Sequence, residues 1–106
     1  MSYRSVIPAD TLWDNELLRI DVNGVPVLLA RIEGTVVAYR DVCAHKGVPL
    51  SNGTLCGRIL TCSAHGWQYD IAKGCGINPA SARLIAIPLR VQNGNIEVDV
   101  VETIHD

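Results

Sequence analysis

Cys43-Ala44-His45-Lys46-Gly47 and Cys62-Ser63-Ala64-His65-Gly66-Trp67 open and close the stretch 43–69 around which this chain is organised. Sixteen residues, 46–61, separate His45 from Cys62. Each end offers one thiolate and one imidazole, a soft and a borderline donor brought close on one loop. Gly47 and Gly66 follow the two histidines, and glycine lets a backbone approach a bulky inorganic group. Pro49 and Gly53 mark further turns. The residues alone leave three readings open: a cluster shared by two matched loops, a structural zinc site, and core or surface residues that fall in this pattern by accident. Zinc fingers usually group Cys-x2–4-Cys before His-x3–5-His, whereas each loop here mixes the two types.

The pattern Cys-x-His, sixteen residues, Cys-x-x-His resembles the Rieske motif. The resemblance implies one [2Fe-2S] cluster per chain, with Cys43 and Cys62 on the buried iron and His45 and His65 on the outer iron. It spans most of the chain and implies an all-β Rieske iron-sulfur domain. That architecture has an antiparallel β-sandwich-like base and an inserted cluster-binding subdomain.

At 106 residues the chain is expected to be a single domain, with base 1–40 and 84–106 and cluster-binding subdomain 41–83. A net charge of −2 with no basic run argues against nucleic acid and against an anionic membrane surface. No apolar stretch approaches the ~20 residues of a membrane span, and Met1-Ser2-Tyr3-Arg4 opens no signal-peptide core. Four cysteines without an export signal suggest a reducing cytoplasm, where thiols are metal ligands rather than disulfides.

Runs rich in Val and Ile between regularly spaced turn signals give the all-β pattern. Ser5 to Asn15 supplies a strand and a short helical piece, with Trp13 expected as a core anchor. Asn23-Gly24 is a favoured two-residue hairpin loop and sets Val22 against Val25 and Ile20 against Val27. Glu33-Gly34 turns into Thr35–Arg40, which leads to Cys43. Strands are expected over 57–61 and 67–71, with a turn at Lys73-Gly74. Asn93-Gly94 closes a last hairpin that sets Val91 against Ile96 and Leu89 against Val98 on a buried face, with Arg90 facing Glu97 on the wet one. Asp99 falls on that wet face, and His105 in a polar tail. Cys56 is expected to be a buried free thiol and Cys75 to sit in a turn between glycines; a disulfide between them is disfavoured in the cytoplasm.

Departures from the Rieske proteins of respiratory complexes narrow the function that the resemblance implies. Val48 and Ala64 stand where those proteins carry a bridging cysteine pair, and Trp67 stands where they carry a serine whose hydroxyl bonds a cluster sulfur. Tyr69 keeps the tyrosine four residues after the second histidine, either as a donor or as core packing. Fewer donors to the sulfurs imply a potential near the low end of the Rieske range of roughly −150 to +300 mV. The chain has no Gly-x-Gly-x-x-Gly fingerprint. It also lacks the second, His/carboxylate iron site of ring-hydroxylating oxygenase large subunits, although 65–70 resembles their second loop.

A soluble Rieske ferredoxin with no catalytic residues is therefore expected, a monomer that meets its partners only transiently. Gly74-Cys75-Gly76-Ile77-Asn78-Pro79 resembles a stretch of the ferredoxins of toluene and alkene monooxygenases; the plain alternative is a Gly-rich turn. That resemblance implies electrons taken from an NADH-dependent flavin reductase and given to a diiron hydroxylase. The alternatives are the ferredoxin of an aromatic-ring-hydroxylating dioxygenase, the Rieske small subunit of a nitrite reductase, and a zinc-stabilised interaction module. Lys46 and the ring edges of His45 and His65 are the expected docking contacts.

Overall fold

A computed structural model describes residues 3–43, 48–63 and 66–100. His45, His65, Lys46, Gly47, Ala64 and His105 lie outside the described residues, so the expectations placed on them are not addressed by the fold.

Among the described residues, ten strands form three antiparallel sheets. The first sheet orders β1 (Arg4–Pro8), β10 (Asn95–Val98) and β9 (Leu89–Gln92). The second is the meander β2 (Leu17–Val22), β3 (Val25–Ile32), β4 (Thr35–Arg40). The third orders β5 (Thr54–Cys56), β6 (Ile59–Thr61), β7 (Gln68–Asp70) and β8 (Cys75–Asn78). Short 3-10 turns occupy Ala9–Thr11 and Leu50–Asn52.

The meander is the middle layer. Strand β3 reads Val-Pro-Val-Leu-Leu-Ala-Arg-Ile, nearly apolar throughout, because both of its faces are covered. Leu28, Ala30 and Ile32 join Leu60, Tyr69 and Ile71 in one core, with Cys43 and Cys62. Val25, Val27 and Leu29 join Ile96, Val98 and Val100 in the other. The first two sheets thus make the sandwich-like base, and the third sheet lies on the far face of the meander. No helix among the described residues is long and apolar enough to cross a membrane.

Turn chemistry sets the register as expected. Asn23 and Gly24 have φ of 52° and 80°, the two left-handed positions of a type I′ loop. Val22 pairs with Val25 and Ile20 with Val27. Val91 pairs with Ile96, Leu89 with Val98 and Arg90 with Glu97, whose side chains meet at 2.6 Å.

Several expectations about burial are corrected. Trp13 is 74% exposed, while its neighbour Leu12 takes the core position. The Leu12 carbonyl accepts from Arg31 Nε at 2.6 Å, and the chain then turns outward through Glu16 N–H bonded to the Trp13 carbonyl at 3.1 Å. Trp13 instead lines an open depression with Asp10, Asp14 and Arg31. Val91 is 52% exposed although Ile96 opposite it is buried, because β9 is the edge of its sheet and β10 the centre. Asp99 is buried: β10 ends at Val98, the alternation stops, and Asp99 N–H bonds the Pro88 carbonyl at 3.0 Å.

The two spare cysteines also differ from expectation. Cys56 is exposed, since it shares an outward row with Ile59 while Leu55 faces in against Leu60. Cys75 is half-buried within β8 rather than in a turn. The row runs Cys56, Ile59, Asp70, Cys75 across four strands. Three strand spacings of ~4.8 Å put the two thiols about 14 Å apart, beyond any disulfide.

Candidate metal centre

Strand β4 hands the chain to the first loop. Asp41 N–H bonds the Pro26 carbonyl at 2.9 Å, and Cys43 N–H bonds the Val48 carbonyl at 2.8 Å. Strand β6 hands the chain to the second, where Cys62 N–H bonds the Trp67 carbonyl at 2.7 Å. Each loop is therefore closed by the amide of its cysteine reaching a carbonyl five residues on. In sequence, each closed loop contains one of the expected histidines. Gly66, with φ of 69°, supplies the left-handed turn that brings Trp67 back.

Both cysteines are 2% exposed and belong to one core, with Leu50 and Leu60 buried beside them and Val48 and Trp67 packed against it. The Tyr69 hydroxyl lies 3.2 Å from Cys43 Sγ. Tyr69 is fully buried in the same core, so the packing reading is realised, and its hydroxyl stands in hydrogen-bond range of the sulfur with either atom able to donate. Tyr39 ties the middle sheet to the third sheet by donating to the Ile71 carbonyl at 2.6 Å. Burial, then the charges of Asp70 and Cys75, push the Tyr39 phenol above its ordinary pKa and keep it a donor.

Two soft sulfur donors, shielded from water and held on matched loops with a phenol in reach, suit an iron-sulfur group. The family profile of the Rieske [2Fe-2S] domain matches residues 2–96. The chain belongs to the Rieske [2Fe-2S] family. Its cofactor is accordingly a [2Fe-2S] cluster.

Relatives include ferredoxin components of oxygenase systems. The ferredoxin component of the alkene monooxygenase system of Xanthobacter autotrophicus (strain ATCC BAA-1158 / Py2) is 40% identical over 97 residues, covering 91% of this chain and 80% of that one. The ferredoxin component of the naphthalene 1,2-dioxygenase system of Pseudomonas putida is 25% identical over 90 residues, covering 84% and 86%. Among solved structures, a chain in the complex of reduced oxygenase and oxidized ferredoxin of carbazole 1,9a-dioxygenase superposes with a TM-score of 0.82 at 26% identity, covering 91% of each chain.

Sequence reasoning missed Asp41 as part of this site. Its carboxylate is buried and accepts from Ser51 N at 2.7 Å, Ser51 Oγ at 2.6 Å and Arg19 Nη1 at 3.1 Å. A charged residue wedged between an apolar strand and the Cys-x-His loop was the available signal. Its partner Arg19 lies 22 residues away and has no local signature.

Proposed function

We propose that this chain is the electron carrier of a multicomponent oxygenase. It takes single electrons from an NADH-dependent flavin reductase and gives them to the hydroxylase of a diiron aromatic or alkene monooxygenase. Cys43 and Cys62 hold the inner iron, and His45 and His65 the outer one. The cluster, when bound, supplies a one-electron store. The chain's own residues exclude water from it, donate to its sulfurs through Tyr69 and fix both loops through the two cysteine amides. The protein has no catalytic residue of its own. It is a cytoplasmic monomer, a single domain with its base in 1–40 and 84–106 and its cluster-binding part in 41–83. It docks transiently through Lys46 and the histidine ring edges.

The observation that carries this reading is the 40% identity over 91% of the chain to an alkene monooxygenase ferredoxin component. The likeness to ferredoxins of ring dioxygenases favours a second reading, as the carrier of a dioxygenase, at the lower identities of 25–26%. The test is reconstitution. The purified chain should be red-brown, with equimolar iron and acid-labile sulfide. An NADH-dependent flavin reductase should reduce it, and the reduced chain should support turnover of a diiron monooxygenase hydroxylase. Turnover with a dioxygenase alone would select the second reading. An intact visible spectrum after His45→Ala or His65→Ala would overturn the ligand set.

A further inference from the structure

Behind the first ligand loop lies a group of charges that electron carriage alone does not explain. Asp41 is 1% exposed, one of two buried charged residues among those described. Its Oδ1 accepts from the Ser51 amide at 2.7 Å, while Oδ2 accepts from the Ser51 hydroxyl at 2.6 Å and from Arg19 Nη1 at 3.1 Å. Ser51 lies in the 3-10 turn that follows the loop, and Arg19 on β2 of the base. One carboxylate therefore closes the chain from 41 to 51 into a ring outside the smaller ring of Cys43 and Val48, and fastens that ring to the middle sheet.

The pair is electrically lopsided. The Asp41 side chain is wholly buried, whereas that of Arg19 is 40% exposed and also meets the exposed Asp21 at 3.5 Å. Water screens the Arg19 charge more than the Asp41 charge. Within this pair the Asp41 charge is therefore the less screened of the two, on the protein side of the loop. Only Val42 separates Asp41 from Cys43, so their Cα atoms stand at most about 7 Å apart. At that range a buried charge acts strongly on a group that gains an electron.

We propose that Asp41 is a positioning residue for the first ligand loop and that its carboxylate, only partly compensated by Arg19, lowers the reduction potential of the cluster. This rests on the reading of Cys43 as a ligand.

Three variants of the full-length holoprotein test it: Asp41→Asn, Arg19→Gln and Ser51→Ala. Iron and acid-labile sulfide are assayed first, then the midpoint potential and the rate of iron loss to a chelator. Asp41→Asn should favour the reduced form by on the order of tenfold at a fixed electrode potential, which for one electron is 59 mV upward. Arg19→Gln should move the potential the opposite way, by less. Ser51→Ala keeps both charges and should leave the potential near wild type while iron is lost faster. A loop that is merely loosened would shift all three variants in one direction, and that result overturns the proposal. So do unmoved potentials in both charge variants. If Asp41→Asn does not load, the surface variant Arg19→Gln decides by the sign of its shift. A wild-type chain that holds no [2Fe-2S] cluster refutes the parent reading instead, which the first assay separates.

Discussion

The Tyr69 hydroxyl stands 3.2 Å from the Cys43 sulfur, joining strand β7 to the loop after β4 inside a dry core. A phenol that donates to a cysteinate stabilises the state with more negative charge. Tyr69→Phe keeps the ring and removes the donor. It should lower the midpoint potential by roughly 40–60 mV, the equivalent of about 1–1.4 kcal/mol for one electron. Voltammetry of the two holoproteins checks this; equal potentials would leave Tyr69 a packing residue only.

The absolute potential is a second expectation. Trp67 brings no hydroxyl to the second loop, and its ring packs against the core that holds both cysteines. The potential should fall near the low end of roughly −150 to +300 mV. A value well above 0 mV would contradict it.

Gly76 is fixed by space. A Cβ there would stand 2.3 Å from the Pro79 carbonyl oxygen and 2.7 Å from that of Ala82. Both obstacles are backbone, so β8 would have to move. Gly76→Ala should cost about 1–3 kcal/mol, and each kcal/mol is worth roughly 4–8 °C in a domain of this size. Thermal unfolding of the holoprotein provides the measurement.

The last hairpin separates pairing from burial. Val91 and Ile96 face each other, yet Ile96 is fully buried and Val91 half-exposed. Ile96→Ala should cost about 2–5 kcal/mol. Val91→Thr should stay within about 0.5 kcal/mol. Similar losses in denaturant titrations would mean that the edge strand is covered.

Asp70 should give the fold part of its acid sensitivity. Burial alone would raise its pKa. The hydrogen bond from Arg58, the Lys73 amide, the Arg58 charge and the Ala72 amide outweigh it and hold the carboxyl below its ordinary 3.8. A depressed folded value means that its stabilisation is complete above the unfolded pKa and is lost as pH falls through the folded one. Asp70→Asn should therefore melt lower than wild type at pH 7, with the gap closing below about pH 3.8. A gap independent of pH would show that shape, rather than charge, is what Asp70 contributes.

Short-range patterns determined much of this protein from the sequence alone. Asn-Gly turns at 23–24 and 93–94 carry their own backbone preference, and a two-residue loop leaves one register for the strands beside it. Cysteine and histidine spacing displays the proposed metal-binding chemistry because both proposed ligands of a loop lie within four residues. Only the tertiary structure decided what depends on neighbours distant in the chain. Trp13 is outside and Leu12 inside because Arg31, on another strand, holds the Leu12 carbonyl. Cys56 faces out and Val91 is uncovered because of their places in their sheets. Asp41 joins the site through Arg19 and Ser51. Burial is set by what a fold lays over a residue, and local propensity carries no record of that covering.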